Sequence, residues 1–476
     1  MKGIRLLNII KIPLLICCLC LGNIALGQDS SKTLNPTQFM NIIRQFHPVV
    51  KQTEIAIKTA NANLLLAKAA FDPILATELT QKTFDGTSYY NTQSPQLTIP
   101  TWFGIEVFAG LENISGDRLD PMLTTGKTNY VGVSVPLAKD LLLDKRRAYL
   151  KQARIMQTMA QSEQQATVNN LMIEAMEDYW HWVKCYQSFL ITSNNVTINE
   201  IRYKLVIKAF QFGERPAIDT TEALTQLLSF QYQKNQRWLE FQNAGLALSA
   251  YLWKENSQPY LLPEYVIPES GWDNEQLIKN YTVQFPDLLN TATGNHPELK
   301  VYDAKLRALQ VEKRLKQQAL LPKIDLKYHQ LGKGYNVLSS GPVMPLFENN
   351  FKYGLNFEMP LRLSEGRGDY KKTRLKIEET TLLQSQKRLQ VELKIRSYYN
   401  ELLYLQNQIT LQANNYANYQ KMVQAEEIKI QNGESTLFLL NSRETKALEA
   451  LEKLIELKTK FHKTIYALQW SAGSLQ

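Results

Sequence analysis

Hydrophobic residues along this chain recur with two periods, and the period changes in the same order twice. Between about Thr37 and Ala70, Ile55, Ala56, Ala60, Leu64 and Ala67 fall at the spacing of one helix face. A second helical run extends from about Lys145 to Phe212, with Val168, Leu171, Ala175, Tyr179, Trp182 and Tyr186 at threes and fours. Further on, Val391, Ile395, Tyr398, Leu402, Leu405 and Ile409 step by four and three in alternation. That heptad rhythm belongs to helices that wrap one another, although ordinary bundle packing shares it over so short a run. Between the helices the period drops to two. Ile324, Leu326 and Tyr328 alternate with Asp325, Lys327 and His329, and Tyr353, Leu355, Phe357 and Met359 alternate with Lys352, Asn356 and Glu358. In the first half Val131, Val133, Val135 and Leu137 share one face, as do Phe103, Ile105, Val107, Ala109 and Leu111.

The sequence therefore predicts one order of elements in each half: helix, strands, very long helix, turn, helix. In residues 28–253 these are a helix at 37–70, candidate strands near 74–82, 101–111 and 129–137, a long helix at 145–212 and a return helix at 216–253. In residues 295–476 they are a helix at 295–320, strands within 323–361, a long helix at 367–431 and a return helix at 434–470. Residues 254–294 join the halves. Pro259, Pro263, Pro268 and Gly271 break regular structure there, Asn274 to Tyr281 can form a short helix, and the segment reads as a collar around the middle of the rods. Local motifs repeat as well. Pro48 and Pro297, both preceded by histidine, stand 249 residues apart, and so do Pro73 and Pro322. A repeat of this length implies two copies of one unit.

Length decides how the helices must be arranged. A helix over 145–212 would span roughly 100 Å at 1.5 Å per residue. No compact domain encloses such a rod. The two shorter helices of each half, placed end to end, match the long one in length and supply its lateral partners. The long and return helices meet at tight turns, Phe212-Gly213-Glu214-Arg215-Pro216 and Asn432-Gly433-Glu434-Ser435. There a glycine accepts positive φ, Pro216 suits a first helical position, and Glu214 and Glu434 suit a helix N-terminus.

The chain opens with the features of an export signal over 1–27. Lys2, Arg5 and Lys11 precede an apolar run from Ile12 to Leu21, and Ala25-Leu26-Gly27 offers a cleavage site before Gln28. Cys17, Cys18 and Cys20 lack the small preceding residue that lipid attachment wants, which disfavours a lipoprotein anchor. Cleavage would leave Cys185 alone, excluding a disulfide framework within one mature chain and leaving stability to packing and assembly. Cys185 sits in the aromatic stretch Trp180–Tyr186 and reads as a buried small hydrophobe. Beyond the signal no apolar stretch reaches transmembrane-helix length, so membrane entry would have to be by strands. Ten-residue segments of alternating character after an export signal fit an outer-membrane barrel, with a soluble sandwich as the alternative. Both ends of each strand set join helices on one side, so the number of crossings per half must be even. Three candidates in the first half leave the count one short or one strand outside the membrane.

Chemistry is sparse. The five histidines, at 47, 181, 296, 329 and 462, lack metal-ligand spacing, and His47 and His296 read as structural. Thr125-Gly126-Lys127-Thr128 imitates the end of a phosphate loop, but Pro121 occupies the place of its first glycine. No pair of carboxylates singles itself out as acid and base, and no cofactor or enzyme activity is expected. Of the net charge of +9, the signal carries three, and runs such as Lys371-Lys372 read as solvated faces and not as a nucleic-acid surface.

Taken together, the duplicated order of elements, the strand ends Tyr130–Leu137 and Tyr353–Leu361 and the two Gly-Glu turns resemble the TolC-type outer membrane efflux proteins, over about 37–470. The resemblance implies a mainly α fold with a membrane β part. It implies a homotrimer whose long coiled-coil helices form a twelve-helix periplasmic tunnel, continuous with a twelve-stranded barrel of four strands per chain set among outer membrane lipids. Substrates would pass from an inner-membrane pump, through a periplasmic adaptor protein, to the exterior, in a tripartite efflux or type I secretion system. The adaptor would dock at Gly213, Glu214, Arg215 and Pro216 and at Gly433, Glu434 and Ser435. Members of the family close the tunnel with acidic residues after these turns. Asp219 matches in the first repeat, but the second has Leu439 and Ser442 instead. The gate is then expected from Asp219, Leu439, Leu440, Ser442 and Arg443, with an apolar contribution from Leu437 to Leu440. A loop over Asp85–Lys127 is expected outside the cell. A periplasmic adaptor and a trimeric coiled-coil surface adhesin share some features, but neither carries duplicated strands inside a helical array.

Overall fold

A computed structural model of the chain describes residues 33–335, 346 and 348–475; the export signal expected over 1–27 lies outside the described residues. In chain order it begins with a two-residue strand Thr33–Leu34 (β1) and helices Pro36–Phe46 (α1) and Pro48–Ala69 (α2). Strands Ile74–Phe84 (β2), Thr87–Pro100 (β3), Glu106–Ser115 (β4) and Gly126–Pro136 (β5) follow. They lead into the helix pair Lys145–Gln211 (α3) and Ala217–Ser249 (α4). The connecting segment holds short strands Trp253–Lys254 (β6), Gln258–Pro259 (β7) and Ile267–Pro268 (β8), and helices Glu275–Asn280 (α5) and Phe285–Asn295 (α6). Then come Pro297–Gln318 (α7), Lys323–Lys333 (β9), Phe351–Glu358 (β10), Ser364–Gln431 (α8) and Leu437–Ser471 (α9).

Two rods organise the molecule. The α3 helix has 67 residues and α8 has 68, each about 100 Å long. Two shorter helices pack along each: α2 and α4 on α3, α7 and α9 on α8. The rods also meet each other's partners, α3 touching both α7 and α9. Asp144 caps α3 by accepting the Arg147 N–H at 2.7 Å.

The expected helix 37–70 is two helices. His47 takes ψ 132° between α1 and α2 because the ring of Pro48 disfavours helical backbone in the residue before it. His296, with ψ 126° before Pro297, makes the same break between α6 and α7. The helix expected over 295–320 therefore starts at Pro297, and α6 occupies part of the segment taken as linker. Both pairs have 11 and 22 residues.

The core lies mid-rod. Trp182, Tyr179, Met172 and Met176 of α3 pack with Phe39 and Ile43 of α1 and with Leu248 and Leu252. On the other rod Ile395, Leu402, Leu405 and Ile409, all in the heptad run, pack with Phe461 and Leu454 of α9. Residues 254–294 cross this level. Trp272 meets Trp180, whose ring stacks on His462 at 4.3 Å, and the Gln406 amide donates to the carbonyls of Ile278 and Tyr281. The β1 strand pairs in parallel with β8.

At one end of the rods stands a single six-stranded sheet, ordered β10-β9-β5-β4-β3-β2 and antiparallel throughout. Six strands replace the expected four. Against the five strand segments read from the sequence the additional strand is β3, and most of the stretch 85–127 expected as a loop is sheet. Phe103 and Ile105, expected in a strand, lie in the turn between β3 and β4, closed by the Thr101 N–H on the Ile105 carbonyl at 2.9 Å. One face is apolar: Phe357, Leu355 and Tyr353 of β10 lie beside Ile324, Leu326 and Tyr328 of β9, then Val135, Val133 and Val131 of β5, and Val107 and Ala109 of β4. The other carries Lys352, Asn356, Asp325, Lys327, Ser134, Glu106 and Glu112, with Phe108, Tyr130 and His329 clustered among them.

Candidate functional site: the helix tips and the apolar face

The two rods turn at their far ends in the same manner. After α3, Gly213 has φ +73°, its N–H donates to the Phe210 carbonyl and that of Glu214 to Ala209, both at 2.9 Å. After α8, Gly433 has φ +77°, with Gly433 N–H on Ile430 at 3.1 Å and Glu434 N–H on Lys429 at 2.8 Å. Each is a paired-hydrogen-bond C-cap that glycine makes without strain. Nothing lies within 4 Å of where a Cβ would stand at either glycine. The helix Ala217–Ser249 then starts after Pro216, and α9 after Thr436, whose hydroxyl accepts the Leu439 N–H. Pro216 thus sits one residue before the first helical position expected for it.

The candidate gate residues separate into two environments. Arg215 reaches one turn on and holds the Asp219 carboxylate at 3.0 Å. Leu440 is 3% exposed and Leu437 4%, so both are packing residues of the protomer, whereas Leu439 (39%) and Phe438 (72%) face away from it. Ser442 lines a groove between α4 and α9 with Phe438, Asn441 and Glu222, and the Asn441 amide donates to Glu222 at 3.1 Å. Arg443 approaches Glu426, a buried carboxylate that also accepts from the Ser435 hydroxyl.

One contact was not legible in the sequence. Arg202 of α3 makes a two-pronged hydrogen bond to Glu444 of α9, joining the halves close to the tips. Burial disfavours its charge, yet Glu444 and Glu427 outweigh that and hold the guanidinium above its ordinary pKa. Only a search for oppositely charged residues at equal distance from the two turns could have found it. Farther up, Arg237 reaches Glu240 and Glu452.

Cys185 is buried, its sulfur 3.7 Å from His181 Nε2, and burial pushes the thiol pKa up, away from nucleophilic character. Among the described residues no group of three or more His, Cys, Asp or Glu could hold a metal, and no helix is long and apolar enough to cross a membrane.

Hundred-ångström helical rods that run into one antiparallel sheet with an apolar face make a fold that this chain shares with solved outer membrane channels. Residues 288–474 match the family model described as outer membrane efflux protein, which bears out the resemblance read from the sequence. Among solved structures the chain is similar to CusC, described for folding and transmembrane channel formation, at 14% identity and a TM-score of 0.66, covering 92% of this chain and 91% of that one. It is similar to the Campylobacter jejuni CmeC outer membrane channel (14%, TM-score 0.62, 92% and 85% covered). It is also similar to the Neisseria gonorrhoeae MtrE outer membrane channel in its open state (12%, TM-score 0.63, 93% and 89% covered). A search of curated protein sequences finds no match to this chain.

Proposed function

We propose that the chain is the outer membrane channel of a tripartite efflux or type I secretion system, passing substrates from an inner-membrane pump to the exterior. The observation that carries this is the union of the apolar sheet face with the rods. Leu355 is 63% exposed and Phe357 64%, in a stripe that continues across neighbouring strands. A stripe of that extent is untenable in water and suits lipid, and rods of about 100 Å suit the periplasmic gap beneath it.

Three copies would close the sheet into a barrel and the helices into a tunnel, each chain being an internal duplication. In support, α6 and α7 follow α1 and α2 at the 249-residue interval of the His-Pro motifs. The turns Gly213–Pro216 and Gly433–Ser435 are the docking points for a periplasmic adaptor. The resting gate draws on Asp219, neutralised by Arg215, and on the exposed apolar residues Phe438 and Leu439; buried Leu440 supports that turn from behind.

Deleting the gene in its host and measuring susceptibility to a panel of toxic compounds, alongside the secreted protein profile, tests the role. Loss of resistance or of one exported polypeptide supports the channel. Unchanged susceptibility and secretion, with the protein absent from the outer membrane fraction, would reject it.

A further inference from the structure

We propose that the assembled protein closes as an eighteen-stranded barrel, six strands from each of three copies, through pairing of β2 of one copy with β10 of the next. This rests on the channel reading and departs from the four strands per chain that the resemblance implied.

The first argument is occupancy. A four-strand contribution would use β4 as the edge that meets the neighbouring copy. That edge is taken: β4 pairs with β3 from Asn91↔Ser115 to Pro100↔Glu106, interrupted only around Pro95, which has no N–H to give. The free edges are β2 and β10, and ten of the eleven residues of β2 and all eight of β10 are exposed. Long unpaired edges are a liability that barrels remove by closing. Because β2 leaves its helix and β10 returns to one, the two run in opposite directions, as an antiparallel closure requires.

The second argument is the face. The apolar side continues beyond β4 near the helix junction: Ile99 and Leu97 of β3 lie opposite Val107 and Ala109, and Leu75 of β2 lies opposite Leu97, while Thr77, Gln81, Gln93 and Asn91 hold the same side farther along the strands. Leu75 and Leu79 are exposed on that side, whereas Glu78, Thr80 and Lys82 take the polar side. A hairpin standing clear of the barrel in water has no use for this alternation. Six strands with one lipid-type face do.

The third argument is stagger. One hydrogen-bonded row runs from Lys352 through His329, Gly132, Phe108 and Thr98 to Ile74, the first residue of β2. Lys352 stands six residues from Glu358, the helix-proximal end of β10. The ends therefore climb about 20 Å over five steps of about 4.8 Å, a strand tilt of about 40°. Transmembrane barrels tilt their strands by about 35–45°. The stagger is built across all six strands, with β2 as the last step.

The turn that adds the extra strands is anchored in the helix junction. Arg147 of α3 donates to the carbonyls of Phe103 and Asp140, at 3.2 and 2.6 Å, and Trp102 stacks on Phe71 at 4.3 Å. A Cβ at Gly104 would collide with the Arg147 guanidinium. Trp102 and Phe103 are exposed beside this junction, where a barrel places its aromatic girdle. Barrel diameter grows roughly linearly with strand number, so this wall is about half again as wide as a twelve-stranded one.

The test is disulfide formation between copies in the full chain with Cys185→Ala. Leu75→Cys with Phe357→Cys, and Thr77→Cys with Leu355→Cys, probe the proposed seam; Val107→Cys with Phe357→Cys probes the alternative. Oxidation of outer membranes should give covalent trimers with one or both seam pairs and none with the Val107 pair. Trimers that cross-link through Val107, native trimers in which no pair cross-links, or a native mass of two copies, which would close twelve strands, each overturn the inference and leave the channel reading standing. Absence of the protein from the outer membrane fraction overturns both.

Discussion

Two histidines show how one residue shapes a helix junction. His47 and His296 each accept the N–H two residues on through Nδ1, at 3.2 Å, which only a neutral ring can do. Burial lowers the pKa of both, and of His181 and His462, from the ordinary value near 6.5. Above that value the rings are neutral folded and unfolded, and their contribution is complete. As pH falls below about 6.5 the unfolded chain binds protons that the folded one refuses, so stability declines until the lower folded pKa values are passed. Melting of the purified protein should therefore drop between about pH 7 and 5. His47→Asn with His296→Asn, which caps without titrating, should flatten that drop; an unchanged slope would remove these two rings from the explanation. Glycine matters at the tips for a different reason. With open space around Gly213 and Gly433, alanine there meets only the cost of left-handed backbone, roughly 1–2 kcal/mol per site. A thermal shift in Gly433→Ala below what about 1 kcal/mol produces would contradict it.

At the scale of elements, what the sequence revealed depended on how regular each pattern was. The strands β9 and β10 alternate cleanly over Ile324–His329 and Lys352–Glu358, and both long helices carry a clear periodic run, Val168–Tyr186 and Val391–Ile409, so they were legible. The β3 strand was not: Asn91, Gln93, Ser94, Pro95 and Gln96 form no alternating apolar run, and pairing holds them extended, to β2 throughout and to β4 at Asn91, Gln93 and Gln96. The His-Pro breaks were half-legible: the motif stands out twice, at Pro48 and Pro297, but each proline acts on the residue before it inside a run whose helical character continues past it. The Arg202–Glu444 pair spans 242 positions and leaves no local trace. Packing predictions follow from the heptad run. Leu402 and Ile395, at 1% and 0% exposure, are completely enclosed, so alanine at either should cost about 2–5 kcal/mol. Chemical denaturation of Leu402→Ala checks this, and a change near 1 kcal/mol or less would mean the rods pack loosely there.

For the whole molecule, the tips and the sheet lie at opposite ends of the same rods, so the gate should be alterable without disturbing the barrel. Leu439→Ala, which removes exposed apolar surface at the tip, should raise resting single-channel conductance while leaving assembly and thermal stability near wild type. The doubly substituted Leu439→Ala, Leu440→Ala protein should show the same rise with an added loss of stability, because Leu440 is buried. Unchanged conductance in both would place the gate elsewhere. The central claim is an assembled channel in the outer membrane, and native mass measurement of protein extracted from that fraction tests it most directly. Three copies released only by detergent are predicted. A monomer recovered from the soluble periplasmic fraction would contradict the barrel, and with it the channel.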